Sequence, residues 1–361
     1  TLFGAGSEGG TVRFVSPEPD LHANSGYARS ELGSTHSGDT SYEAGIAAGG
    51  PIVDNLLGIR ASAYYRRDGG YVDRVDYATN QVTEPHSNWQ ETMNFRLAMK
   101  WAITDRLSLT PSLYYQRLQL ADTAAYWMEL SDRQNGVFQN GNIQHNTSTD
   151  PFYLAAIKFD WDLGSVALVG NLSHLSRKQH ALPDYTQFDR AVYGFNPRAL
   201  PGDYGQAPFQ DLQENYTAEF RLQSTDAAAR LTWTAGLFFA HLDENETQRI
   251  IDPTIDARFT AAYGTPLCTP IAPCPDGEIG AQPIYRLIDK QAAAYGEATF
   301  KFTDKLGVTV GARISHDQFE GTNVQYGPFV GPGVNINNPL TRAGSGSATP
   351  VTPRLVVDYH P

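Results

Sequence analysis

The sequence predicts an all-β fold, an antiparallel transmembrane β-barrel wall built from consecutive hairpins, and three observations predict it. Segments that alternate apolar and polar residues at every second position come in pairs. The connections between them alternate between short turns and long polar loops. No apolar run approaches the ~18 residues that a membrane-crossing helix requires, whereas strands of about 9 to 11 residues cross a bilayer without such a run. The composition agrees, since 361 residues include 19 Tyr, 17 Phe and 5 Trp alongside 33 Gly and 22 Pro, the residues of strands and turns.

Weak alternation covers residues 26–34, 42–50 and 57–66. It becomes clear from Met93 to Trp101, where Met93, Phe95, Leu97, Met99 and Trp101 share one face and Asn94, Arg96, Ala98 and Lys100 the other. After a turn at residues 103–106, Leu107, Leu109, Leu113 and Tyr115 again share a face. The same hairpin recurs at residues 153–172, 216–239 and 298–315, with short turns at 162–165, 225–226 and 303–305, and a last strand begins near Pro353. About twelve strands are expected. The long connections, centred near residues 78, 135, 195, 265 and 335, are expected to run about 20 to 47 residues each. A compact soluble domain rarely carries several such loops, but a membrane barrel alternates short periplasmic turns with long extracellular loops.

Energetics sets the register. If Arg96 and Lys100 met lipid near the bilayer midplane, each would cost about 2–4 kcal/mol, so the apolar face must point outward. Trp101, Trp161 and Phe302 precede short turns, while Trp89, Tyr153 and Tyr216 open the same type of strand, as two interfacial belts would. Twelve residue steps separate Trp89 from Trp101, about 40 Å of strand or about 28 Å of height at a 45° tilt, which matches a bilayer.

Gly4, Gly6 and Gly9 fit the G-x-G-x-x-G dinucleotide fingerprint, but the following residues, Thr11-Val12-Arg13-Phe14-Val15-Ser16-Pro17-Glu18-Pro19, form a β-branched, proline-closed stretch. The fingerprint works only when a helix N-terminus receives the pyrophosphate, and a strand supplies none. Leu2-Phe3-Gly4-Ala5-Gly6-Ser7-Glu8-Gly9-Gly10, leading into Thr11–Pro17, resembles the end of the plug domain in TonB-dependent outer-membrane receptors of the siderophore-receptor type. The segments Glu219-Phe220-Arg221-Leu222, Trp233–Phe238, Ala294–Ala298 and Gly311-Ala312-Arg313 resemble barrel strands of that family.

The resemblance implies residues 1–22 as the C-terminal end of a plug and 23–361 as the first part of a barrel with 22 strands, about 12 of them present here. It implies outer-membrane lipid, TonB and a small-molecule substrate as partners, with active uptake of a scarce nutrient such as a ferric siderophore. The signal peptide, the TonB box and most of the plug are then expected before Thr1, and about ten strands after Pro361. Gly4, Gly6, Gly9 and Gly10 would let the plug chain turn, since glycine accepts positive φ without strain.

Candidate site residues follow from the register. Arg60, Arg96, Lys100, Glu219, Arg221, Glu297 and Arg313 fall on the inner, lumen-facing side, where they would guide substrate or hold the plug; the plainer reading is that they form ladders between strands. Trp127, Tyr185, Tyr193, Tyr204 and Tyr263 fall in the long loops, where a rigid scaffold presents recognition surfaces. Cys268 and Cys274 form a candidate small-loop disulfide, which implies an oxidising compartment.

A formal charge of −12 argues against nucleic acid, which needs a basic surface. The nine histidines show no metal-ligand spacing, and neither a metal, a cofactor nor catalysis is expected. The competing readings are a passive porin-like channel, TonB-dependent uptake of a non-iron substrate such as cobalamin or an oligosaccharide, and a soluble secreted β-rich binding protein. A plug segment before the first strand separates the receptor from the porin.

Overall fold

The computed structural model describes residues 15–188, 204–328, 330–331 and 333–360. The glycines at 4, 6, 9 and 10 and Tyr193 lie outside the described residues. The strands are β1 (Ser25–Ser34), β2 (Thr40–Val53), β3 (Leu57–Asp68), β4 (Asp73–Val75), β5 (Val82–Glu84), β6 (Gln90–Thr104), β7 (Leu107–Leu120) and β8 (Gln139–Asn140). They continue with β9 (Thr147–Asp162), β10 (Val166–Leu182), β11 (Phe209–Ser224), β12 (Leu231–Ile251), β13 (Glu278–Lys301), β14 (Leu306–Tyr326), β15 (Leu340–Ala348) and β16 (Val351–Tyr359). Helix α1 spans Ile255–Tyr263.

Chain neighbours pair antiparallel in the order β1-β2-β3-β6-β7-β9-β10-β11-β12-β13-β14-β15, with β16 also on β14, in one 13-stranded sheet. β15 and β16 are two pieces of one strand. The pairs Asp317↔Ala348 and Ile314↔Val351 keep the same register across the break. Pro350 sits between them and has no N–H to give the ladder, although its carbonyl still accepts from the Ser315 N–H at 3.1 Å. Counted this way, twelve strands form the wall, as the alternation predicts.

The predicted faces are the observed ones. On β6, Phe95, Leu97 and Trp101 are 49, 48 and 44 % exposed, while Ala98 between them is 1 % exposed, so the apolar side chains point away from the rest of the protein. Bulky apolar residues recur on this outer face at Ile157, Trp161, Phe220, Leu237, Phe239, Val310 and Ile314. In water such a surface would be unstable; against acyl chains it is the expected one.

Rings gather at both margins of the apolar face. Tyr115 touches Phe95 and Tyr153, with centroids 6.2 and 4.8 Å apart, and Tyr216 stacks on His174 at 4.4 Å. At the short-turn margin Phe300 meets Phe302 edge-on at 4.9 Å, and Trp101 and Trp161 stand near the short-turn ends of β6 and β9. Trp89 differs from the expectation. Its ring lies 4.2 Å beneath the Arg67 guanidinium, which also pairs with Glu91 at 2.7 Å, so Trp89 is capped by a cation above the belt.

The connections 69–89, 121–146 and 252–277 lie at the low end of the expected lengths and 327–339 falls below them, because the strands are longer than the alternation shows. β12 runs 21 residues and β13 runs 24, leaving 252–277 between them, and β14 leaves only 327–339 before β15. Beyond the upper rings both faces of β12 are polar, as in Asp243-Glu244-Asn245-Glu246, so the alternation stops while the ladder continues to Ile250↔Gly280. The main buried apolar cluster lies at this long-loop end. Ile250, Ile255 and Ile279 are 9, 1 and 3 % exposed and pack with Tyr185, Leu267 and Cys274.

Candidate functional site

Residues 15–24 cross the inner face of β2, β3, β6 and β9 before β1 begins, and polar contacts hold them there. The Arg96 guanidinium donates to the Pro17 carbonyl at 3.1 Å. Glu18 bridges two strands, accepting from Lys100 Nζ at 3.0 Å and from Lys158 Nζ at 2.8 Å. Those two ammonium groups, Lys158 foremost, hold the Glu18 carboxyl below its ordinary range. The Asn55 N–H donates to the Leu21 carbonyl at 3.1 Å, and Arg60 reaches Ser25 Oγ at 2.8 Å.

Two glycines make room for this path. A Cβ on Gly58 would strike the Asp20 carbonyl, and one on Gly50 would overlap the Asn24 side chain. The chain can lie flat on the sheet only because these positions carry no side chain.

The predicted inner residues thus divide into two groups. Arg60, Arg96 and Lys100 gather around residues 17–25, near the short-turn end. Glu219, Arg221, Glu297 and Arg313 gather on β11 to β16. There Glu219 accepts from the Tyr295 hydroxyl and Glu297 from Arg354. Arg313 donates to Gln291 at 3.2 Å and lies 5.2 Å from the Phe238 ring centre. Arg221 Nε and Arg313 Nη1 are buried without a hydrogen-bond partner, an arrangement that costs about 1–3 kcal/mol per group until something accepts from them. Glu219 and Glu297 pair with residues of other strands in the wall, while Arg96 and Lys100 contact Pro17 and Glu18.

Sequence reasoning missed Glu18, Lys158, Gln291 and Tyr295. Lys158 shares the inner face of β9 with Asp160, so alternation already placed it, but nothing in the sequence placed Glu18 beneath it.

At the long-loop end two assemblies stand out. β4, β5 and β8 form a small separate sheet that joins loops 69–89 and 121–146. Buried Arg74 fixes the joint, donating to Asp122 at 2.7 Å and to the carbonyls of Gln144, Asn142 and Ile143 at 2.8, 2.9 and 2.9 Å. Loop 252–277 instead carries α1, a buried pair between Arg258 and Asp252, and a disulfide between Cys268 and Cys274.

The loop aromatics take different roles. Trp127 packs edge-on against Tyr77 at 5.1 Å, and Tyr185 packs on the isoleucine cluster, so both serve the loops themselves. Tyr263 packs on Phe259, with ring centres 4.6 Å apart, and is 57 % exposed. Among the described residues no three His, Cys, Asp or Glu side chains converge as metal ligands.

Comparison with known proteins places this architecture. No family model matches the sequence, and no curated protein matches it. Solved structures do match in fold. The ferric yersiniabactin uptake receptor FyuA from Yersinia pestis aligns over 95 % of this chain and 45 % of its own, at 15 % identity and a TM-score of 0.68. The siderophore receptor PiuA from Acinetobacter baumannii aligns over 94 % of this chain and 47 % of its own, at 12 % identity and a TM-score of 0.62. The ferric citrate transporter FecA covers 99 % and 45 %, at 14 % identity and a TM-score of 0.60. The chain spans about half the length of these structures. Over that span it has the fold of a siderophore-receptor barrel wall.

Proposed function

We propose that the chain is part of a TonB-dependent outer-membrane receptor that actively takes up a scarce nutrient, a ferric siderophore or similar iron complex, with residues 1–22 ending a plug and 23–361 beginning the barrel. The observation that carries this reading is the segment 15–24, bound along the inner wall through Arg96, Lys100 and Lys158. A passive porin has no use for a chain fastened inside its wall before the first strand. The outer apolar face with ring-lined margins supports residence in the outer membrane. The inner wall offers cation–carboxylate ladders and the loops offer rings, equipment for binding and passage rather than bond-breaking.

The test is accumulation of radiolabelled iron from ferric siderophores in iron-starved cells carrying the full-length gene, with and without TonB. Saturable uptake that disappears with TonB is expected. Flux that rises linearly with concentration and ignores TonB would indicate the porin instead. TonB-dependent uptake of cobalamin or an oligosaccharide with iron uptake unchanged would keep the receptor and replace its substrate.

A further inference from the structure

The inner wall changes sign along its height. Arg96, Lys100 and Lys158 lie toward the short-turn end, but toward the long loops the same face carries Asp150, Asp211, Glu244 and Glu246. Asp211 lies eight residues before Glu219 on β11, about 26 Å further along the strand.

Among the described residues these carboxylates are not balanced. Arg177 is shared between Asp150, at 2.8 Å, and Asp211 Oδ2, at 2.9 Å. Gln213 donates to Asp211 Oδ2 at 3.0 Å and to Glu244 at 2.7 Å, which satisfies oxygens without supplying charge. Asp211 is only 5 % exposed, and its other oxygen, Oδ1, is buried with no hydrogen-bond partner. Glu246 stands directly opposite Asp211 in the β11–β12 register. Directly opposed like charges destabilise a sheet, and a buried, unpartnered carboxylate oxygen adds its desolvation cost. A wall that keeps both features is completed by a positive charge with hydrogens to donate.

We propose that this face of β9 to β12 seats a cationic group of the transported molecule, a primary ammonium or a guanidinium, between Asp211 and Glu246. The inference rests on the uptake reading and narrows it: the cargo carries a positively charged arm. An organic cation fits better than a bare metal ion, because the described carboxylates do not converge as ligands. A plug side chain is the competing occupant, which titration of the wild type distinguishes.

The experiment is isothermal titration of the full-length protein in detergent at low salt with spermidine, and with triacetylspermidine as its uncharged counterpart. Spermidine is expected to bind and the triacetyl form not, and D211N/E246Q is expected to weaken spermidine at least tenfold. Glu246→Lys provides a second arm that misfolding cannot imitate: it should abolish binding while raising the melting temperature, because it relieves the like-charge pair. Equal spermidine affinity in wild type and D211N/E246Q would overturn the proposal. So would absence of binding to the wild type, the result expected if a plug side chain already fills the seat. Spermidine binding without TonB-dependent uptake would sink the transport reading and leave the cation seat standing.

Discussion

Loops 69–89 and 121–146, taken together, and loop 252–277 solve one problem by different means. Each must hold a shape above the barrel wall with little apolar material. The first pair is joined through β4, β5 and β8 and through Arg74, whose partners lie 48 to 70 residues away along the chain. Loop 252–277 is local, with helix α1, an isoleucine cluster and a disulfide between cysteines six residues apart. Both bury an Arg–Asp pair, but in the first that pair joins two loops, whereas in the second it lies within one loop that adds apolar burial and a covalent link. They should therefore respond to different insults.

The largest expected effect is at Arg74. Arg74→Ala leaves the Asp122 carboxylate, 0 % exposed at its side chain, without its counter-charge, a loss of about 3–5 kcal/mol. Hydrogen exchange should accelerate across 69–89 and 121–146 and stay unchanged across 252–277; acceleration in both would mean that the assemblies are coupled. Next is Ile255→Ala, which opens a cavity at a residue 1 % exposed and should cost about 2–3 kcal/mol. Here exchange should accelerate only around α1. The smallest effect is on the disulfide: C268S/C274S should loosen 252–277 by about 2 kcal/mol, because the closed loop is short. Limited proteolysis with and without reductant reads this directly, and cleavage within 121–146 on reduction would break the contrast.

The sequence was legible wherever two environments imposed different chemistry on the two faces of a strand. Met93 to Trp101 could be read because one side faces an apolar medium and the other carries Arg96 and Lys100. Legibility ended where both faces became polar. The upper half of β12 beyond Phe239 and the first half of β13 keep their ladder with no alternation to betray it. Arg96 and Lys100 could be placed on the inner face but not matched to Pro17 and Glu18, because a side chain's parity says nothing about which chain segment lies across it. Arg74 was invisible for a related reason: three of its four acceptors are backbone carbonyls, which every residue has. The paired cysteines were visible because proximity in sequence left few alternatives.

The fastening of residues 15–24 also has a mechanical side. Its contacts at Pro17, Glu18 and Leu21 follow one another along the chain instead of lying side by side. A pull applied at Val15 meets them one at a time, as a zipper does, so the force needed is that of the strongest single contact and not of their sum. The Glu18 bridge to Lys100 and Lys158 is then the rung at which peeling should pause, and the strand from Ser25 onward feels no load until it yields.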